Sequence, residues 1–214
     1  METTLYFVRH GETDWNAEKR MQGQWESTLT ERGRGHAEAN AALVAALGVD
    51  ALYASPLQRT RESAAPLAAM TGLSPAFDDR LKEWDAGDWS GVLYAEIPGR
   101  WPVEWAAWRA DMWRVRAPGG ENLEDLTDRG GAFLDEMLTR EAGRRAAIVS
   151  HGFIGRAMIA RLAGLAPDDA LKLHTANDVV FRLRGGGDDW RCDRFEAGRG
   201  PADGLFADEA GGLA

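Results

Sequence analysis

Two stretches of this chain close an apolar, β-prone run with a histidine followed at once by a glycine: Leu5-Tyr6-Phe7-Val8-Arg9-His10-Gly11 and Ala146-Ala147-Ile148-Val149-Ser150-His151-Gly152. The chain has only four histidines, and two share this setting. The carboxyl ends of strands are where open α/β sheets bind ligands, and a glycine there lets a ligand approach the backbone. Arg9 sets a cation beside the His10 imidazole, the arrangement needed if that ring is to attack a phosphorus carrying negative oxygens. The planar arginine fork binds phosphate bidentately and stays charged at all working pH. Neutral His10 is then a nucleophile. A satisfied strand-end histidine beside a surface arginine fits the tripeptide equally well.

Further groups could join it. Asn16, and Gln22-Gly23 in the same loop, offer amides and backbone N–H groups able to complete an anion cradle, although each residue type also serves as an ordinary turn former. Arg59 falls in the first turn of a helix that Ser55-Pro56 begins, where its charge adds to the positive end of the dipole and calls for an anion. Arg61, two positions on, should point elsewhere. His151 and Gly152 open another helix, so a second imidazole could donate to a phosphoryl oxygen as charge builds there, or simply bond a neighbouring carbonyl. Glu83 lies in Leu81-Lys82-Glu83-Trp84-Asp85-Ala86-Gly87-Asp88-Trp89. A carboxyl among apolar neighbours near a phosphate can hold a proton for a leaving alkoxide and later help activate water. Asp85 and Asp88 are rivals for that task, and spacing does not choose among the three.

The elements that would position these groups follow from periodicity. Thr4 to Val8 reads as a buried strand and Gly11 to Thr28 as a polar loop. A helix follows from Glu31 to Leu47, capped by Thr30 and ended by Gly48. Ala51 to Ala54 is a short strand leading into Ser55-Pro56-Leu57-Gln58, a cap residue, a first-position proline and a capping-box glutamine, with the helix running to about Met70. Asp78 to Gly91 reads as loop, Trp101 to Trp113 and Glu121 to Glu141 as helices, the latter weakened by Gly130-Gly131. Ala146 to Ser150 is the second histidine-terminated strand and Phe153 to Leu162 an apolar helix. Val179 to Leu183 and Trp190 to Phe195 form a hairpin through Gly185-Gly186-Gly187-Asp188. Alternating strands and helices predict an α/β three-layer sandwich: a mostly parallel central sheet flanked by helices, with antiparallel edge strands from the hairpin.

Composition bounds the rest. The chain has 214 residues, 44% hydrophobic and 28% charged, the mixture of one globular domain. A net charge of -9 argues against nucleic acid or an anionic membrane as partner, so an anionic substrate must be captured by a local arginine cluster. Cys192 is the only cysteine, which allows no internal disulfide and fits a reducing compartment. Met1 to Val8 is short, acidic at its start and runs into Arg9-His10, unlike a signal peptide or a spanning helix, so a cytoplasmic location is expected. Oligomeric state is open, a homodimer included.

Taken together, the segments resemble the histidine phosphatase superfamily, the phosphoglycerate mutase-like proteins. The resemblance runs through Arg9-His10-Gly11-Glu12-Thr13 with Asn16, Ser55-Pro56-Leu57-Gln58-Arg59-Thr60, Glu83 ahead of Gly87-Asp88-Trp89-Ser90-Gly91, Pro118-Gly119-Gly120-Glu121, and Ser150-His151-Gly152. It implies a transiently phosphorylated His10, a phosphoryl clamp of Arg9, Arg59 and His151, and Glu83 as the proton donor. Asn16 and the backbone around Gln22, Gly23 and Gly152 would complete the pocket, with no metal or organic cofactor. Asn122 and Asn177-Asp178 depart from the family pattern. The stretch around Gly23-Gln24-Trp25 and Glu83 to Trp89 looks more like the phosphatase branch than the glycolytic mutases.

The expectation is therefore a phosphomonoesterase acting on a small-molecule phosphate ester. Phosphoglycerate mutase-type transfer and a non-catalytic phospho-ligand binding protein on the same fold are the alternatives. A metal hydrolase using His10, His151 and a carboxylate lacks clustered ligand spacing. One domain should span residues 1–198, with 199–214 a flexible tail and about 92–120 a helical, tryptophan-rich insertion or lid. Six of the nine tryptophans lie between Trp84 and Trp113, and Trp101, Trp105 and Trp108 share one helix face. Such a stripe either packs the insertion onto the core or lines the substrate pocket.

Overall fold

The computed structural model describes residues 2–187 and 189–206. Its centre is a seven-stranded mixed sheet of β1 (Thr3–Arg9), β2 (Ala51–Ala54), β3 (Ala76–Phe77), β4 (Arg145–Ser150), β5 (Val179–Gly186), β6 (Asp189–Glu196) and β7 (Arg199–Asp203), in the order β3-β2-β4-β1-β5-β6-β7. The β3-β2, β2-β4 and β4-β1 ladders are parallel; the β1-β5, β5-β6 and β6-β7 ladders are antiparallel. The apolar runs of β1 and β4 lie side by side at the centre, as strands covered on both faces must.

Alternation along the strands divides the core in two. Leu5, Phe7, Tyr53, Ala146 and Ile148 face one cluster, while Tyr6, Val8, Leu52, Ala54, Ala147 and Val149 face the other. Helices α2 (Glu31–Leu47) and α3 (Gln58–Thr71) pack as a pair and cover the second face through Ala41, Val44, Ala64 and Leu67. The first face is covered by α6 (Leu123–Arg140) and α7 (Gly152–Ala163). Gly130 weakens α6 locally but lets α7 approach, since a Cβ there would lie 2.9 Å from the Ile154 side chain. Shorter helices complete the chain: α1 (Asp14–Ala17), α4 (Ile97–Arg100), α5 (Pro102–Ala110) and α8 (Pro167–Lys172).

Several local expectations are corrected. The loop from Asp78 contains two 3-10 turns, Asp79–Leu81 and Gly87–Trp89. Ser55 does not cap α3: the cap position is Leu57, with no side-chain bond, and the Glu26 carboxylate instead accepts from the Gln58 N–H. The segment expected as a tail begins with β7, because Arg199–Asp203 pairs with β6; residues 207–214 and Asp188 lie outside the described residues. Asn122 caps α6 with its own side chain in a capping box with Asp125, so it does there what a small hydroxyl residue would do.

The tryptophan stripe packs inward. Trp108 is buried and stacks on Trp84 at 5.4 Å between ring centroids, and Trp89 meets Trp105 and Trp108 edge-on. The cluster roofs the loop that carries Glu83, and none of Trp101, Trp105 and Trp108 lines the cleft described below.

Candidate active site

Strand register brings the two histidines together. Arg9 of β1 stands opposite Ser150 of β4, so His10 and His151 leave neighbouring parallel strands at the same level, and the His10 N–H donates to the Ser150 carbonyl at 3.0 Å. Their rings meet edge-on with centroids 5.2 Å apart. Both are almost fully buried.

Their hydrogen bonds distinguish the two rings. His10 Nδ1 lies 2.7 Å from the Gly11 carbonyl, which can only accept, so Nδ1 carries the proton and Nε2 holds a free lone pair. The Asn177 amide donates to the His10 carbonyl at 2.7 Å and fixes the strand end. His151 Nε2 lies 2.8 Å from the Ser55 hydroxyl, which also accepts from the Leu57 N–H. Burial lowers the pKa of both rings well below 6.5, with Arg59 the next cause in each, so both imidazoles are neutral at pH 7.

The two glycines do different work. A Cβ on Gly11 would lie 2.0 Å from the Gly33 carbonyl, so it is the first turn of α2, and not a ligand, that approaches this backbone. At Gly152 a Cβ would meet Glu83 Oε2 at 3.6 Å, an ordinary contact, so space alone does not demand a glycine there.

Arg59 is buried at the start of α3, its terminal nitrogens donating to the Trp25 and Gly23 carbonyls at 2.8 Å each. Burial pulls its pKa down to about 10, so it remains cationic. Arg9 donates to the Thr175 carbonyl at 2.8 Å. Arg61 points away as expected, its guanidinium 3.9 Å over the Phe77 ring. Among the described residues, Arg9 Nε, Arg59 Nε and His151 Nδ1 are buried nitrogens without a partner. A buried donor left unpaired is costly, and the two arginine nitrogens on the residues around His10 call for an anion.

Glu83 comes from the loop before the 3-10 turn at Gly87. Its carboxylate accepts from the backbone N–H groups of Trp84 at 2.9 Å and of Phe153 and Ile154 at 3.2 Å, so it sits on the N-terminus of α7 next to His151. Arg129 of α6 ties this loop down, donating to the carbonyls of Arg80, Lys82 and Glu83 and pairing with Glu121 at 2.9 Å.

Arg9, His10, Asn16, Gln22, Gly23, Arg59, Glu83 and Gly152 all line one cleft of about 380 Å³; His151 is not among its lining residues and reaches the site through the edge-on contact of its ring with His10. Two contributions differ from expectation. Asn16 spends its carbonyl oxygen on the Thr13 N–H in the α1 capping box, and the Gly23 carbonyl is turned to Arg59, so both also act as scaffold. Asp85 and Asp88 do not line the cleft. Its aromatic wall is Trp15, Trp84, Tyr94 and Phe153. Sequence reasoning missed Thr175, Arg129 and Arg156. Only Arg156 left a signal, as the one charge in the otherwise apolar run Gly152 to Ala160.

The chain is similar to known proteins. The model for the histidine phosphatase superfamily (branch 1) matches residues 5–198. Phosphoserine phosphatase 1 of Hydrogenobacter thermophilus is 35% identical over 161 residues, covering 75% of this chain and 76% of that one. The "Probable phosphoglycerate mutase GpmB" of Salmonella paratyphi B is 34% identical, covering 84% and 83%. Among solved structures, a mycobacterial glucosyl-3-phosphoglycerate phosphatase complexed with VO3 superposes with a TM-score of 0.82 at 33% identity, covering 91% of this chain and 98% of that one.

Proposed function

The chain belongs to branch 1 of the histidine phosphatase superfamily, and from that membership we propose that it hydrolyses small-molecule phosphate monoesters in two steps through a phosphohistidine on His10. The observation that carries this reading is the tautomer of His10: Nδ1–H is engaged by the Gly11 carbonyl, so the lone pair is on Nε2, beside the unpartnered Nε donors of Arg9 and Arg59. Nε2 attacks the phosphorus while Glu83 gives a proton to the departing oxygen. Arg9, Arg59 and His151 hold the phosphoryl oxygens, and their fixed N–H groups contribute most where charge develops. Glu83 then takes a proton from water, which attacks the phosphohistidine and releases inorganic phosphate.

The match to a mutase-named relative supports a second reading, in which the phosphoryl group returns to another hydroxyl. Phosphate released from 3-phosphoglycerate without isomer formation decides against it. The main experiment is a phosphate-release screen over metabolite monoesters, with phosphoserine and glucosyl-3-phosphoglycerate included because relatives are named for them. On the best substrate His10→Ala should lose about a thousandfold or more in kcat. Glu83→Gln should lose about 10²–10⁴-fold on alkyl esters and less on p-nitrophenyl phosphate, whose leaving group departs as a stable anion so that only the water step still needs Glu83. His10→Ala retaining a tenth of the activity would overturn the proposal.

A further inference from the structure

The cleft holds more positive charge than one phosphoryl group needs. Arg9, Lys19, Arg20, Arg59 and Arg156 line it, and Glu83 is the one carboxylate among the described lining residues. Arg9 and Arg59 surround His10. Arg20 is already engaged, with Glu18 at 3.0 Å and with the Gly91 carbonyl. Arg156 is different. Its Nε donates to the Leu173 carbonyl at 2.9 Å and its guanidinium lies 5.4 Å from the centre of the Phe153 ring, so the head group is held in place. Among the described residues no carboxylate lies within 4.0 Å of it, and its two terminal nitrogens donate to nothing.

Direction matters as much as charge. Arg156 stands in the second turn of α7, and helical side chains lean toward the helix N-terminus, which here is where Phe153 and Ile154 bond the Glu83 carboxylate. If Glu83 protonates the leaving oxygen, Arg156 is on the leaving-group side of the phosphorus. Burial and the neighbouring Arg9 both lower the Arg156 pKa, so its cationic form gains from an added anion.

We propose that Arg156 is the head of a second anionic subsite, and that the preferred substrate is a compact phosphomonoester whose alcohol portion carries a carboxylate a few bonds from the ester oxygen. The inference rests on the phosphatase reading for the side of the cleft that it assigns to the leaving group. A guanidinium with two free terminal nitrogens matches a carboxylate bidentately, and the restrained head group loses little freedom on binding. Lys19, exposed at the rim, adds attraction at longer range.

Two probes isolate the carboxylate: 3-phosphoglycerate and glycerol 3-phosphate share the phosphate and the carbon skeleton and differ in that group. Calorimetric titration on the His10→Ala chain reads binding without turnover. The expected result is at least about tenfold tighter binding of 3-phosphoglycerate, collapsing to within about threefold when Arg156→Met is added. Should that variant not fold, Arg156→Gln, which keeps a donor for the Leu173 carbonyl, is read the same way. No preference, equal weakening of both probes, or binding of neither overturns the subsite. Turnover without discrimination sinks the subsite alone, whereas discrimination in binding with no turnover by the unsubstituted chain sinks the phosphatase reading alone.

Discussion

A buried imidazole resists protonation, and the guanidinium groups of Arg59 and Arg9 add to that resistance at His10. This has a consequence for stability. As pH falls below about 6.5 the unfolded chain takes up protons on its histidines, while His10 and His151 in the folded protein do not. Stability present above that pH is therefore lost as pH falls toward the lower folded-state values. The expected outcome is a thermal midpoint that declines between about pH 7 and pH 5 more steeply in the unsubstituted protein than in His10→Asn, because one depressed group has been removed. Parallel curves in a melting series would contradict the assignment. At this scale the grouping is legible in the sequence: Arg9, His10, Arg59 and Glu83 line one cleft, and His151 meets the His10 ring without lining it. What the residues alone could not tell was which of Glu83, Asp85 and Asp88 faces the cleft, since that depends on bonds to Phe153 and Ile154, distant in sequence.

Elements place these groups through a few long-range ties. Helix α2 matches its expected bounds because apolar period, Thr30 and Gly48 agree. β7 was not legible: Arg199 to Asp203 is rich in Gly and Pro, and it is a strand only because β6 offers a partner edge. Ser55 misled for a similar reason, since its hydroxyl serves His151 across the sheet instead of its own helix. Arg129 ties down the Glu83 loop, and besides Glu121 its partners are three backbone carbonyls that no sequence pattern reveals. It is a positioning residue. Arg129→Met should lower kcat on an alkyl phosphate about 10- to 100-fold, lower it less on p-nitrophenyl phosphate, where only the water step needs Glu83, and be partly rescued by Arg129→Lys. Equal losses on both esters would mean a purely structural role.

Across the whole molecule, charge is sorted. A chain of net charge -9 gathers arginines and a lysine around one cleft, while most other Arg and Lys groups pair with acidic neighbours, as in Arg145 with Asp50 and Arg182 with Asp193. Such a local field attracts an anionic ester against the overall repulsion and is screened by salt. For a phosphomonoester, kcat/KM should fall several-fold between about 0.02 M and 0.5 M NaCl, mostly through KM. A flat salt profile in initial-rate measurements would contradict it. No described helix is long and apolar enough to cross a membrane.

The central claim is that the phosphoryl group passes through one particular nitrogen. Rapid acid-free quenching during turnover of a ³²P-labelled ester, followed by peptide mapping, tests it most directly. The account predicts acid-labile, base-stable label on the peptide carrying His10, attached at Nε2 and absent in His10→Ala. Label on His151 or on any other residue, or turnover with no labelled protein at all, would contradict it.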